Sequence, residues 1–195
     1  RAAPAEGTAG EPLHFIDFET TMVAIPFHAG RHPYEQIAFQ YSHHLMTEDG
    51  VVQHVGEFLH REKGSFPNFA FVRALKAELD QDTGTIFRYS PHENSVLVQI
   101  YHQLSQSSEP DRVVLMDFIR HITSSNKEDS WQGPRTMFDL WDLVKKVYYH
   151  PLTRGSNSIK NVLPAILQES PYLQSTYSQP IYGAPGGIPS RNYKN

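Results

Sequence analysis

The sequence predicts an α/β domain, with helices packed on one mixed β-sheet. Three observations carry that expectation. Three short apolar or aromatic segments, punctuated by turn residues, open the chain as a strand meander does. Segments with apolar residues every three or four positions then alternate with further short strands. The chain of 195 residues is 39% hydrophobic and 19% charged, ample for one core. It contains no cysteine, which excludes disulfides, thiolate nucleophiles and thiolate-bound metals. No stretch approaches the roughly 20 apolar residues of a membrane span. The net charge of −4 gives no general attraction to nucleic acid or acidic lipid. A cytoplasmic protein with no membrane partner is expected.

Residues 13–19 (LHFIDFE) form a short apolar run with two embedded acids, read as a buried strand. A loop holding Pro26, Gly30 and Pro33 leads to a second strand over 36–46. Glu48, Asp49 and Gly50 supply a hairpin turn into a third strand over 51–60. Phe69, Val72, Leu75 and Leu79 recur at helical spacing, with Asn68 in the place of an N-cap. Gly84 opens a fourth strand over 85–89. Val96, Leu97, Ile100, Tyr101 and Leu104 form one helical stripe, and Val114, Leu115, Phe118, Ile119 and Ile122 another. A polar loop over 124–134 precedes residues 137–149, which read either as a short strand entering a helix or as a helix alone. Ile159, Val162, Leu163, Ile166 and Leu167 mark a last helix, capped by Ser158 and shortened or kinked by Pro164.

The ends differ from the middle. Residues 1–12 have linker composition, and 170–195 read as a Pro/Gly/Tyr-rich loop or tail without helical period. The folded domain is therefore expected over 13–169, incomplete at its C-terminal end, as a piece of a longer chain with further domains. The element order is that of a ribonuclease-H-like sheet, a three-strand meander followed by alternating helices and strands. Several other folds share this order.

The acids come next. Asp17 and Glu19 are two apart on a strand and so project to one face, opposite Ile16 and Phe18. Paired carboxylates raise each other's pKa unless a cation stands between them, and a hard divalent ion such as Mg2+ or Mn2+ resolves that conflict. The alternative is an edge strand whose acids face water. Glu93 follows the fourth strand in RYSPHEN and falls in the first turn of a helix, where an acid can also serve the helix dipole. If the fourth strand lies beside the first, Glu93 approaches Asp17 and Glu19.

HFIDFET resembles the Asp-x-Glu first motif of the DEDD exonucleases, and TIFRYSPHEN resembles their second, with Glu93 where aspartate is usual. FIDFETTMVAIPFHAGRHPYEQIAFQYS (15–42), the Glu93 region and GSNSIKNVLPAIL (155–167) resemble a bacterial family, the domain-of-unknown-function 2779 family. The resemblance implies a ribonuclease-H-like nuclease hydrolysing phosphodiesters of DNA or RNA from a single-stranded 3′ end, using two Mg2+ or Mn2+ ions. Asp17, Glu19 and Glu93 would then be the catalytic metal ligands. The superfamily's final aspartate has no clear counterpart. It is expected beyond Asn195, with Asp139 and Asp142 as the nearest substitutes.

Charge is unevenly spread. Residues 1–142 carry 11 basic and 20 acidic side chains, a balance of −9, and 143–195 carry 6 and 1, a balance of +5. Lys145, Arg154, Ser158 and Lys160 are the candidate phosphate contacts, aided by Tyr148 and Tyr149. Lys145 and Lys146 read first as a solvated helix face. The segment before the last helix exposes backbone N–H groups suited to anions. The 11 histidines give no convincing zinc pattern, since His28 and His32 straddle Gly30 and His43 and His44 face opposite ways on a strand. A catalytically inactive nucleic-acid-binding or scaffolding module is the competing expectation, and a transposase-like or resolvase-like domain a third.

Overall fold

The computed structural model describes residues 10–126 and 129–177. The chain divides into two compact units, Arg1–Asp139 and Leu140–Asn195. In the first, β1 (Leu13–Thr21) pairs antiparallel with β2 (Ile37–Met46), and β2 with β3 (Val52–Leu59). The hairpin between β2 and β3 closes through Gly50, whose N–H meets the Thr47 carbonyl at 2.8 Å and whose φ of +79° suits a residue without Cβ. The meander ends there. After α1 (Asn68–Leu79), β4 (Thr85–Arg88) lies parallel to β1 on its free side, rather than beside β3.

Two helices, α2 (His92–Ser105) and α3 (Arg112–Ile122), follow. The expected polar loop contains a two-residue ladder, β5 (Ser124–Ser125) with β6 (Trp131–Gln132). Then β7 (Phe138–Asp139) adds parallel to β4, so residues 137–149 are a strand entering a helix. The five-stranded mixed sheet has the order β3-β2-β1-β4-β7.

The sheet positions both the core and the acids. His14, Ile16 and Phe18 alternate inward along β1, while Asp17 and Glu19 point outward. Ile16 and Phe18 join Tyr41, Phe71, Leu75, Ile86, Leu97 and Ile119 in one core under α1, α2 and α3. Phe71 is the hub, meeting Phe18, Tyr41 and Phe58 edge-on at 4.8–5.7 Å between ring centroids.

Two polar systems cross this core. Asn68 is not a cap. Pro67 holds that position, and Asn68 is buried as the first residue of α1. Its amide accepts from Ala38 N–H (2.8 Å) and donates to the Gln36 carbonyl (2.9 Å) and to Gln103 Oε1 (2.6 Å), tying α1 to β2 and α2. The second is a chain from Asp82 Oδ1 to His14 Nε2 (2.8 Å), His14 Nδ1 to His43 Nε2 (2.9 Å), and His43 Nδ1 to Glu78 Oε2 (2.8 Å). Tyr41 closes it, donating its hydroxyl to Glu78 Oε1 at 2.7 Å.

The second unit contains α4 (Leu140–Val147), a 3-10 turn (Pro151–Thr153), α5 (Ile159–Glu169) and α6 (Pro171–Tyr177). Its α5 runs through Pro164 for 11 residues and buries Val162, Ala165 and Leu167. Ser158 occupies the N-cap position with extended backbone, but its side chain makes no capping bond. The helix α6 occupies part of the segment expected as a tail, and residues 1–9 and 178–195 of the expected linker and tail lie outside the described residues. Among the described residues, no helix is long and apolar enough to cross a membrane.

Candidate acidic site at the strand ends

Because β1, β4 and β7 are parallel, their carboxyl ends share one edge of the sheet. The chain leaves β1 toward β2 on one side and returns to β4 on the other. Asp17 and Glu19 stand on the outer half of β1, opposite Ser42 and Gln40 of β2, and both are exposed. A bulge follows Glu19, where Thr20 pairs with Ala38 and Phe39 is skipped. Beyond it, Thr20 Oγ1 meets His92 Nε2 at 3.2 Å, fastening the end of β1 to the start of α2.

Glu93 is the next residue, and it is only 3% exposed. Its Oε2 is buried without a hydrogen-bond partner among the described residues. Burial pushes its carboxyl up to about 7, against an opposing hydrogen bond from its own backbone. The negative charges of Asp17 and Asp139 push it further, and Arg88 pulls it back. Glu93 and Asp17 therefore share one electrostatic neighbourhood, although 76 positions separate them in sequence.

Asp139 is the member that the sequence pattern offers only as a substitute. It ends β7, is buried, and binds Arg88 Nη1 through Oδ2 at 2.6 Å. Its Oδ1 accepts from Ser90 N–H at 2.9 Å. Arg88 also donates to the Ser90 carbonyl, so Arg88 and Asp139 together grip the β4–α2 turn. That turn needs gripping, because Ser90 is forced to φ +91°, a conformation L-residues rarely adopt. The signal for Asp139 is an acid closing a short apolar run, the same pattern that marks Asp17.

Among the described residues, no three His, Asp or Glu side chains stand in a group that could hold one metal ion. Asp142, the other substitute, lies on α4 and pairs with Lys145 at 2.7 Å. Lys145 also lies 3.5 Å over the Trp141 ring, so its ammonium is already engaged. Arg154, Ser158 and Lys160 are exposed around the start of α5. Arg154 takes a left-handed conformation (φ +52°) that ends the 3-10 turn. His150 Nε2 binds Glu169 Oε1 at 2.6 Å within the same unit.

No curated protein matches the chain. One family's sequence pattern, described as a domain of unknown function (DUF2779), matches residues 14–158. That span runs from β1 to the N-cap of α5, takes in Asp17, Glu19, Glu93 and Asp139, and covers more than half of the 195 residues. The chain belongs to the DUF2779 family.

Proposed function

We propose that the protein is a metal-dependent, DEDD-type nuclease of ribonuclease-H-like fold that hydrolyses phosphodiester bonds at a single-stranded 3′ end. One observation carries the reading. A buried carboxyl, Glu93, keeps an unpartnered oxygen beside the negative field of Asp17, an arrangement whose ionised form costs stability unless a proton or a metal cation joins it. The strand order supports it, since β1, β4 and β7 run parallel and present their carboxyl ends on one edge of the sheet. Hard oxygen donors of this kind suit Mg2+ or Mn2+. Asp17, Glu19 and Glu93 would hold the metal, which would supply activated water and charge stabilisation at phosphorus. Glu93 would hold it from the buried start of α2, and the exposed pair on β1 would hold it from the solvent side. Arg154, Ser158 and Lys160 would contact nucleic-acid phosphates, and a cytoplasmic setting fits a chain without cysteine.

Oligonucleotide cleavage in Mn2+ tests this. The protein is expected to shorten single strands from the 3′ end, and Asp17→Asn to abolish cleavage while retaining the wild-type melting temperature. Cleavage by Asp17→Asn at the wild-type rate rejects the reading. A second reading is a catalytically inactive nucleic-acid-binding module. It is favoured by the lack of a three-ligand group among the described residues, and predicts salt-sensitive oligonucleotide binding that Mn2+ leaves unchanged.

A further inference from the structure

The strand β3 lies at the edge of the sheet, and among the described residues only β2 pairs with it. Its two ends fix which backbone groups face outward. Val51 accepts from Thr47 N–H at 3.1 Å, and His60 N–H donates to the Phe39 carbonyl at 2.9 Å. Between them a bulge sets His54 opposite His44 and Gly56 opposite His43, with Val55 skipped. Alternation from both ends therefore turns the N–H and C=O of Gln53 and Phe58 toward β2, and those of Val52, His54, Glu57 and Leu59 to the free edge. The side chains divide in the same way. Phe58 stacks on the core residue Tyr41 on the helix side, whereas His54 stacks on His44 (4.9 Å between centroids) on the other face. Val52 is 53% exposed and Leu59 50%. His54 Nε2 bonds the Gly56 carbonyl at 2.8 Å, and Glu57 Oε2 stops 3.9 Å from it, beyond hydrogen-bond reach.

We propose that two copies of this chain pair antiparallel through β3, joining their sheets edge to edge. Centred on Val55 and Gly56, such a pairing sets Val52 opposite Leu59 of the second copy and His54 opposite Glu57 of the second copy. An apolar pair and an imidazole–carboxylate pair then repeat on both sides of the two-fold axis. All of these residues turn their backbone groups outward, so each pair exchanges two main-chain hydrogen bonds. The bulge makes the match possible. In a regular strand Val52 and Leu59, an odd number of positions apart, face opposite ways; skipping Val55 brings Val52, His54, Glu57 and Leu59 to one face and one edge. Register is specified as well, because sliding by one pair sets Glu57 against Glu57 or His54 against His54. The strand also carries no Pro, Lys or Arg, residues that commonly guard an open edge. This pairing is independent of the nuclease reading.

Sedimentation equilibrium of the full chain from about 5 µM to about 500 µM tests the proposal, with amide hydrogen exchange read at both concentrations. One strand pair is a small interface, so a dimer Kd on the order of tens of micromolar is expected. By mass action the amides of Val52, His54, Glu57 and Leu59 should exchange about fivefold more slowly at the higher concentration. Val52→Pro removes an outward N–H and spares the bonds to β2, so it should raise the Kd about tenfold or more while the melting temperature is kept. His54→Glu sets carboxylates opposite each other and should also weaken the dimer, and adding Glu57→His should restore it to within about threefold of wild type. A chain that is monomeric at about 500 µM overturns the proposal and leaves the edge to a strand of another protein. A dimer that Val52→Pro leaves intact, or one whose β3 amides exchange at the same rate at both concentrations, forms elsewhere and overturns it too. Should Val52→Pro fail to fold, the charge exchange decides: restored association supports the pairing, and no restoration overturns it.

Discussion

His14 and His43 share a 2.9 Å hydrogen bond between Nδ1 and Nε2, which obliges one ring to donate and the other to accept. The outer nitrogens are fixed as well, His14 Nε2 by Asp82 and His43 Nδ1 by Glu78. Arg135 steadies the Asp82 end from 3.1 Å, and the Tyr41 hydroxyl, pushed up by burial and by Glu78, stays a donor at the other. Two glycines make room for the chain. A Cβ on Gly56 would lie 2.1 Å from Glu78 Oε2, and one on Gly84 would lie 1.9 Å from the Pro12 carbonyl and 2.9 Å from His14 Nε2.

Burial holds the basicity of His14 below 6.5, with Asp82 opposing only in part. As pH falls from 7 through 6.5 toward that lowered value, the unfolded chain takes up the proton first, so stability contributed by His14 is lost on the acid side. The slope is at most about 1.4 kcal/mol per pH unit for one proton. Denaturant midpoints of wild type and His14→Gln, followed from about pH 7.5 to about pH 5, should converge on acidification. Parallel curves reject a titrating His14.

Glu93 acts in the opposite sense. Its carboxyl is raised from 4.5 to about 7 in the fold, so ionisation favours the unfolded chain, and stability is lost as pH rises between those values. The full effect is about 3 kcal/mol. Glu93→Gln should therefore match the wild type near pH 4 and exceed it at about pH 8 by up to about that amount, while losing Mn2+ binding. A Gln variant that is less stable on the alkaline side shows that Glu93 is satisfied in solution.

Elements whose burial is one-sided were legible in the sequence. The alternation of Ile16 and Phe18 against Asp17 and Glu19 fixed β1 and its faces, and the stripe from Leu115 to Ile122 fixed α3, because period-2 and period-3.6 patterns leave few readings. Asn68 was misread because cap and core amides look alike locally, and its real partners, Ala38, Gln36 and Gln103, lie 30 to 35 positions away. The β5–β6 ladder involves two residues on each strand, too few for a period. Asp139 could not be ranked because its role depends on Arg88 and Ser90 across the β4–β7 pairing, a contact of separation 49 to 51.

Asn68→Ala is expected to be among the more damaging single substitutions. It strips partners from Ala38 N–H, the Gln36 carbonyl and Gln103 Oε1 at once, in a site sealed from water. Stranded buried donors and acceptors each cost about 1–3 kcal/mol, and Gln103 Nε2 retains its own bond to the Gln36 carbonyl at 3.2 Å. A loss of about 2–4 kcal/mol in urea unfolding is expected. A loss below about 1 kcal/mol means the cavity admits water.

Lys160 tests the nucleic-acid side of the reading. It is exposed in the first turn of α5, next to a Ser158 hydroxyl that makes no capping bond, and among the described residues no carboxylate is ion-paired to it. Lys145 differs, since Asp142 and Trp141 already engage it. If Lys160 neutralises a phosphate, Lys160→Ala should weaken single-stranded oligonucleotide binding and flatten the log–log salt dependence by about 0.7. Lys145→Ala should change that slope less, because its charge is already partly balanced. Salt slopes that are identical in wild type and Lys160→Ala remove Lys160 from the phosphate path, and a larger effect at Lys145 would mean that its ion pair opens when nucleic acid binds.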